Sequence, residues 1–391
     1  MTVQTTVPFL DLSASLAPLK SEFDAAWESV FADGGFVGGR AVGIFEDEFA
    51  RYCEADHCIG VANGTDALEL TMKALGLGPG DEVIVPANTF IATAEAVSNV
   101  GAVPVFADVD PETLLLRPLD AEALLTERTA ALIPVHLFGQ MCDMAAFAEL
   151  AERRGLLLIE DAAQAHGARQ DGKPPATHSA AATFSFYPGK NLGALGDGGA
   201  VVTNHEYLDV AIRSLAAHGR SPSDRYRHDV IGCNSRLDAL QAAFLSVRLK
   251  HLEIENETRR AVRRLYEELL PSTVRLVTQA SDRLCVDHLI VGEVADRAEL
   301  RSFLRLSARP AVEVEPHEGI GGGREMERQG APSGGLCGGA VGQRVGVRGN
   351  RQVERGAHAR TGLAVPAARG GGRIDAGTRP QSKLRLVRAR I

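Results

Sequence analysis

One stretch, SFYPGKNLGALGDGG at 185–199, places a single cation, Lys190, in a loop otherwise built of glycine and mainly small or apolar residues, directly after the apolar run AAATFSFY. Residues 1–300 hold four other lysines, Lys20, Lys73, Lys173 and Lys250, all in polar or helical contexts that suit a solvated ammonium. Desolvation disfavours the charged form of a lysine and releases the neutral amine, the nucleophile that condenses with an aldehyde. A buried phosphate is the other partner such a lysine could have, but the GxxxxGK[ST] pattern of a P-loop is absent. LLLIEDAAQAHGA at 156–168 puts Glu160 and Asp161 at the carboxyl end of a run that reads as a fully buried strand. A carboxylate there is costly unless a cation holds it ionised. Asp161 could instead cap a following helix, and Gln164 and His166 could be satisfied core polar groups. VANGTDALEL at 61–70 ends an apolar run in the turn Gly64-Thr65 and opens a helix. Free backbone N–H groups and the positive end of the helix dipole make such a turn a phosphate seat, with the Thr65 hydroxyl as an extra donor. The competing reading has Thr65 as a helix cap and Asp66 favoured in the first turn by the same dipole. Phe90, in PANTFIATAEA at 86–96, follows another strand end, placed either to lie against a flat ring or to fill the core.

The elements that must position these residues alternate. EVIVP (82–86), VPVFADV (103–109), AALIPVHLFG (130–139), GLLLIEDAA (155–163), AATFSFY (181–187) and GAVVTN (199–204) are apolar and short enough for strands. TDALELTMKALGLG and MAAFAELAERRG lie between them, with apolar residues three and four apart and a glycine at the end. Repeated strand and helix imply an α/β fold, a mostly parallel sheet with helices on both faces. Ligands of such sheets bind outside the carboxyl ends of the strands, where all the residues above are placed.

With 391 residues the chain can bury a large core and divides into about two domains. The opening MTVQTTVPFLDLSASL has neither a basic n-region nor a long apolar h-region, and no apolar run is long enough for a membrane span, so a cytoplasmic, soluble protein is expected. Six cysteines without CxxC or metal-ligand spacing argue against a disulfide framework or zinc site and read as buried thiols. The net charge of −8 joins two unlike parts: residues 301–391 carry 17 Lys+Arg against 7 Asp+Glu, leaving 25 against 43 in residues 1–300. The last 91 residues also hold 18 of the 41 glycines, with one Phe and no Tyr or Trp. They show no helical or strand period and offer no aromatic platform for a base, so nucleic-acid binding is not expected. A disordered tail and a shifted reading frame are the two readings of residues 305–391, and the abrupt change after Leu304 favours the second.

A phosphate cradle, a strand-end acid and a lysine after a later strand together fit pyridoxal phosphate, which needs its phosphate anchored, its ring nitrogen paired with a carboxylate and its aldehyde held by a lysine. A nicotinamide cofactor would need a GxGxxG turn after a first strand, which is missing. The words GTDAL (64–68), PANTFIATAEA, PVHLFGQ (134–140), IEDAAQAHGA (159–168), FSFYPGKNLGALGDGGAVVT (184–203) and NSRLDALQAAFL (234–245) resemble, in order, the DegT/DnrJ family of fold-type I sugar aminotransferases. The resemblance runs from about Pro8 to about Leu304. It implies that Lys190 is the Schiff-base lysine, that Asp161 pairs with the pyridinium nitrogen and that Gln164 touches the ring hydroxyl. It further implies that Gly64, Thr65 and Ser185 hold the phosphate, that Phe90 stacks on the ring, and that Asn234 reaches the cofactor of a neighbouring subunit in a homodimer. His166 and Tyr187 are candidate substrate contacts. The implied reaction moves nitrogen from L-glutamate to a keto group of a nucleotide-linked deoxyhexose, and the wording around Tyr187 and Asp197 looks like the branch that aminates C3. A 4-keto sugar, a cyclitol ketone, or an inactive or regulatory chain that binds the cofactor without turnover are the alternatives. A related dehydratase branch carries histidine in place of the lysine. The implied organisation is a large cofactor-binding domain at 1–250, the start of a small domain at 251–304, and then the anomalous tail, in which a closing segment like HYP.P.H has no counterpart.

Overall fold

The computed structural model describes residues 10–224, 226–306, 312–313 and 385–389. All lie in one compact unit formed by residues 1–319 and 384–391. The boundary expected at residue 250 falls inside this unit, at the turn between the helices Ala239–Leu249 and Leu252–Leu269. Most of the tail reading concerns residues outside those described.

The strands are β1 (His57–Val61), β2 (Glu82–Pro86), β3 (Val103–Ala107), β4 (Thr129–Leu132), β5 (Leu157–Asp161), β6 (Arg169–Gln170), β7 (Ala181–Ser185), β8 (Gly199–Thr203), β9 (Val274–Leu276), β10 (Arg283–Leu284), β11 (Ile290–Val294), β12 (Val312–Glu313) and β13 (Arg385–Ala389). Seven of them form the central sheet in the order β1-β8-β7-β5-β4-β2-β3. The pairs β3–β2, β2–β4, β4–β5 and β5–β7 are parallel, while β8 runs antiparallel to both β7 and β1. The mostly parallel sheet expected from the sequence is therefore present. Alternate side chains enter different cores, as the pleat requires. Ile84, Leu132, Leu158, Phe184 and Val202 join a cluster with Phe45, Phe49, Phe147 and Phe186. Val83, Val85, Ala131, Ile133 and Ile159 pack instead with Leu68, Met72 and Val97 from the helices Gly64–Ala74 and Ala92–Asn99. Both faces are thus covered, which is why β2 and β8 are mainly apolar and are buried throughout, with Glu82 at the start of β2 held by Thr126 and Arg128.

Strand lengths depart from the sequence reading where turn chemistry intervenes. The run 130–139 yields only Thr129–Leu132, because Pro134 has no N–H for a ladder and the chain then folds into a 3-10 turn at Leu137–Gly139. β5 is not followed by a helix: the backbone turns at Ala165 and Ala168, whose N–H groups donate to Ala162 and Ala165 carbonyls. Asp161 is therefore no helix cap. The helix Met144–Arg154 ends as expected, on Gly155 in the left-handed region at φ 66°. A second sheet has the order β12-β13-β11-β9, antiparallel throughout, and β6 pairs with β10. Among the described residues no helix is long and apolar enough to cross a membrane. Cys53, Cys58, Cys142 and Cys285 are buried thiols as expected, Cys233 is only half-buried, and Cys337 lies outside the described residues.

Candidate active site

The pairing register assembles the site. Val61 of β1 faces Gly199 of β8, which also faces Ser185 of β7, and Asp161 of β5 faces Thr183 one step behind. One row across β1, β8 and β7 thus brings the Asn63–Thr65 turn level with Ser185 and the Lys190 loop, while Asp161, with the turn that carries Gln164, ends β5 two residues earlier along the neighbouring strand. The close approach requires glycine at two points. A Cβ on Gly199 would stand 2.4 Å from the Asn63 carbonyl carbon, and one on Gly64 would stand 2.7 Å from the Ser185 Cβ. Both lie below any distance a methyl group tolerates against these neighbours.

Asn63, rather than Thr65, caps the helix Gly64–Ala74: its Oδ1 accepts the Asp66 N–H at 2.8 Å. The cap frees the Thr65 hydroxyl from that duty. Gly64 and Thr65 occupy the first turn, where backbone N–H groups have no acceptor within the helix, and Ser185 faces them. Backbone donors, a helix dipole and two flanking hydroxyls make an anion seat.

Asp161 is 6% exposed. Its Oδ2 accepts the Thr93 hydroxyl at 2.8 Å and its Oδ1 the Ala163 N–H at 3.1 Å. Thr93 is linked in turn to the Thr89 hydroxyl at 2.9 Å. The carboxylate is thus aimed by a helix that starts beyond β2, one turn after Phe90, whose carbonyl accepts the Thr93 N–H. Phe90 is 69% exposed, which removes the core reading of that ring. Gln164 Oε1 accepts the Phe138 N–H at 2.7 Å, so the side chain keeps its NH2 for another acceptor. Phe138 holds φ 63°, a left-handed conformation uncommon for a bulky residue, and this places its N–H against Gln164.

Lys190 stands in a closed loop. Phe186 N–H donates to the Gly198 carbonyl and its own carbonyl accepts the Ala194 N–H, each at 2.7 Å, while the Lys190 N–H closes a turn onto the Tyr187 carbonyl at 2.8 Å. Underneath lies His166, 0% exposed, its ring 5.4 Å from Phe184 and 5.8 Å from Phe186 between centroids. Neither ring nitrogen has a hydrogen-bond partner. Burial, and then the charge of Lys190, push its pKa down to about 3, so the imidazole is neutral at all working pH values. His166 is thus a fully buried ring packed against Phe184 and Phe186, close enough to Lys190 to feel its charge. Tyr187 is exposed beside Lys190, and Asn234 is exposed, joined to Ala217 by an isolated bridge.

Sequence reasoning missed Thr93, whose signal was a hydroxyl one turn after the ring-like Phe90 in NTFIAT. It also missed the buried pair His136–Glu160. Glu160 Oε2 meets His136 Nε2 at 2.7 Å, and its Oε1 accepts the Ala176 N–H at 2.7 Å and the Ser179 hydroxyl at 2.6 Å. Since His136 Nδ1 accepts the Cys142 N–H at 3.2 Å, the ring proton is on Nε2 and donates to Glu160. This pair ties the 136–142 turn to β5 on the side opposite Asp161.

Among the described residues no group of His, Cys, Asp or Glu is placed to hold a metal ion. Residues 18–319 match the DegT/DnrJ/EryC1/StrS aminotransferase family. The chain is 48% identical over 300 residues to the dTDP-3-amino-3,4,6-trideoxy-alpha-D-glucose transaminase of Streptomyces venezuelae, covering 76% of this chain and 79% of that one. It is 43% identical over 321 residues to the UDP-N-acetyl-3-dehydro-alpha-D-glucosamine 3-aminotransferase of Acidithiobacillus ferrooxidans, covering 82% and 84%. The fold is similar to the crystal structure of S. venezuelae DesV in complex with a ketimine intermediate, with TM-score 0.77 and 46% identity over 79% of this chain and 83% of that one. The chain belongs to the DegT/DnrJ/EryC1/StrS family of aminotransferases, enzymes that work with pyridoxal phosphate.

Proposed function

We propose that the chain transfers the amino group of L-glutamate to the C3 keto group of a nucleotide-linked deoxyhexose, dTDP being the preferred carrier, and that it acts as a homodimer. The observation that carries the chemistry is the single row of β1, β8 and β7 that brings the Gly64–Ser185 anion seat level with the Lys190 loop, while Thr93 fixes Asp161 one strand away. These residues fit pyridoxal phosphate. Gly64, Thr65 and Ser185 would hold the phosphate, since a side chain on Gly64 would fill the seat. Asp161 would hold the ring nitrogen, Gln164 the ring hydroxyl and Phe90 one ring face. When bound, the cofactor supplies an aldehyde that takes up nitrogen and a ring that withdraws electrons from the bonds around it.

Lys190 Nζ would hold that aldehyde between turnovers and, once displaced by the amino donor, carry the proton to and from the donor's Cα. Thr93 keeps Asp161 oriented while charge develops. The neutral His166 adds no second positive charge beneath Lys190. The C3 position is supported by the names of the relatives, two of which denote 3-amino transfer to sugars on different nucleotides. The homodimer is supported by an exposed aromatic group, Trp27, Phe31 and Phe36, with rings 6.3 and 6.5 Å apart in sequence. It borders the 234–238 segment through the bridge of Val37 to Asp238, and Asn234 is exposed in that segment. Isolated apolar patches of this kind mark association surfaces.

The test is borohydride reduction of the protein with pyridoxal phosphate. The coenzyme becomes fixed to Lys190, its visible band disappears in Lys190→Ala, and glutamate bleaches the band in the unmodified enzyme. Failure of fixation would refute the assignment. A band that glutamate leaves unchanged would favour the regulatory chain, and product carrying nitrogen at C4 alone would overturn the C3 position.

A further inference from the structure

Lys190 is followed by Asn191, which is 1% exposed and has every polar atom of its side chain engaged. Its Nδ2 donates to the Asn256 Oδ1 at 2.8 Å and to the Val286 carbonyl at 2.9 Å. Its Oδ1 lies 2.9 Å from His288 Nδ1. Asn256, fully buried on the helix Leu252–Leu269, passes its own Nδ2 to the His166 carbonyl at 2.9 Å. Carbonyl oxygens only accept, so the two ends of this chain fix every direction within it. Val286 and His166 oblige both asparagines to point their NH2 groups outward along the series. Asn191 Oδ1 is then an acceptor, and His288 Nδ1 must carry the proton. A second clamp acts on the same peptide: Arg248, 5% exposed, donates from Nη1 to the Gly193 carbonyl at 2.8 Å and from Nη2 to the Asn191 carbonyl at 3.2 Å.

We infer that Asn191 is a positioning residue for Lys190, and that His288, in the segment that leads into β11, sets the Asn191 side chain and thereby the place of the lysine. The backbone of Asn191 is held from the helix Ala239–Leu249 by Arg248, and its side chain from the helix Leu252–Leu269 and from residues 286–288. Lys190 is one peptide bond away, and its own N–H is held by the Tyr187 carbonyl, so the backbone from which its side chain departs is fixed on both sides. The amide chain also reaches the His166 carbonyl, which ties that residue into the same series of bonds. Buried polar series of this kind are rigid when complete and costly when one direction is reversed. The C-terminal part of the chain is therefore linked to the peptide next to the lysine through two amides.

This inference rests on the proposed role of Lys190, and its test separates the two. His288→Asn keeps an N–H near the site of ring Nδ1, whereas His288→Asp sets an acceptor against Asn191 Oδ1. Three readouts are compared with the unaltered enzyme: the rate of borohydride-fixed labelling of Lys190, the pH midpoint of the visible band, and amide hydrogen exchange of peptide 186–194 without cofactor. His288→Asp is expected to slow labelling about tenfold, to move the midpoint by about one pH unit and to speed exchange in the peptide, with His288→Asn within about twofold on each measure. A merely structural role would lower the melting temperature of His288→Asp but leave labelling and midpoint of the folded protein unchanged, and that result overturns the inference. Should His288→Asp not fold, His288→Ala serves: labelling slowed about threefold or more relative to His288→Asn supports the inference, and equal rates overturn it. If the unaltered enzyme is not labelled, the role of Lys190 falls instead.

Discussion

The imidazole of His166 gives the structure a measurable acid sensitivity. In the unfolded chain it titrates near its ordinary 6.5, and in the fold burial and the Lys190 charge lower it to about 3. The folded state therefore refuses a proton that the unfolded state accepts. Stability due to this group is complete above pH 6.5 and is lost as pH falls towards 3, because the unfolded chain binds more protons throughout that window. The linkage relation gives a loss of about 2 kcal/mol at pH 5 relative to pH 7.5 from this one group. Other carboxylates also titrate, so the contribution is isolated by comparison with His166→Leu. That variant removes two unpartnered nitrogens from a site walled by Phe184 and Phe186 and should be at least as stable at pH 7.5. Urea unfolding of both proteins from pH 7.5 to 5 should show the unaltered chain losing about 2 kcal/mol more than the variant. Parallel decline, within about 0.5 kcal/mol, would mean that the buried ring accepts a proton in the fold and that the account of a neutral imidazole is wrong.

Two further changes test the seat and the acid. Gly64→Ala places a methyl group 2.7 Å from the Ser185 Cβ. The overpacking costs about 1–3 kcal/mol, which a spectral titration with pyridoxal phosphate should read as weaker cofactor binding by about tenfold or more. Thr93→Val deletes the hydroxyl between Thr89 and Asp161 Oδ2. Steady-state kinetics should show kcat reduced about tenfold with cofactor still bound, a cost of about 1–2 kcal/mol for one lost bond to a buried carboxylate, and unchanged kcat would show that Asp161 needs no such guide.

The parts of the fold legible in the sequence were those set by short-range patterning. β2 coincides with the run 82–86, and β7 and β8 begin at the residues expected, because strands buried on both faces are mainly apolar along their length. The positions of Lys190, Asp161 and Gly64 followed from the rule that parallel sheets bind at their carboxyl ends. What escaped was long-range. Asn191, Asn256 and His288 are an unremarkable asparagine, a helical asparagine and a histidine in a loop until the fold brings them within hydrogen-bond reach. For His166 the sequence leaves a core group and a substrate contact open, and only the turn after β5 shows that its ring packs against two phenylalanines. The sequence leaves Thr65 open between a phosphate donor and a helix cap because side-chain choice at a helix start depends on one residue of register, and Asn63 holds that register.

The antiparallel placement of β8 also governs how the protein is made. β1 ends at Val61, yet the strand it pairs with starts at Gly199, and among the described residues it has no other neighbour in the sheet. On a ribosome adding residues at ordinary speed, β1 waits roughly 7–30 s for its partner to be synthesised. Throughout that interval its edge amides are open to any other extended chain, and the half of the anion seat contributed by residues 63–65 has nothing to close against. Cofactor capture is thus a late event in the life of a nascent chain, and a fragment released before residue 199 would present an unpaired strand and no phosphate site.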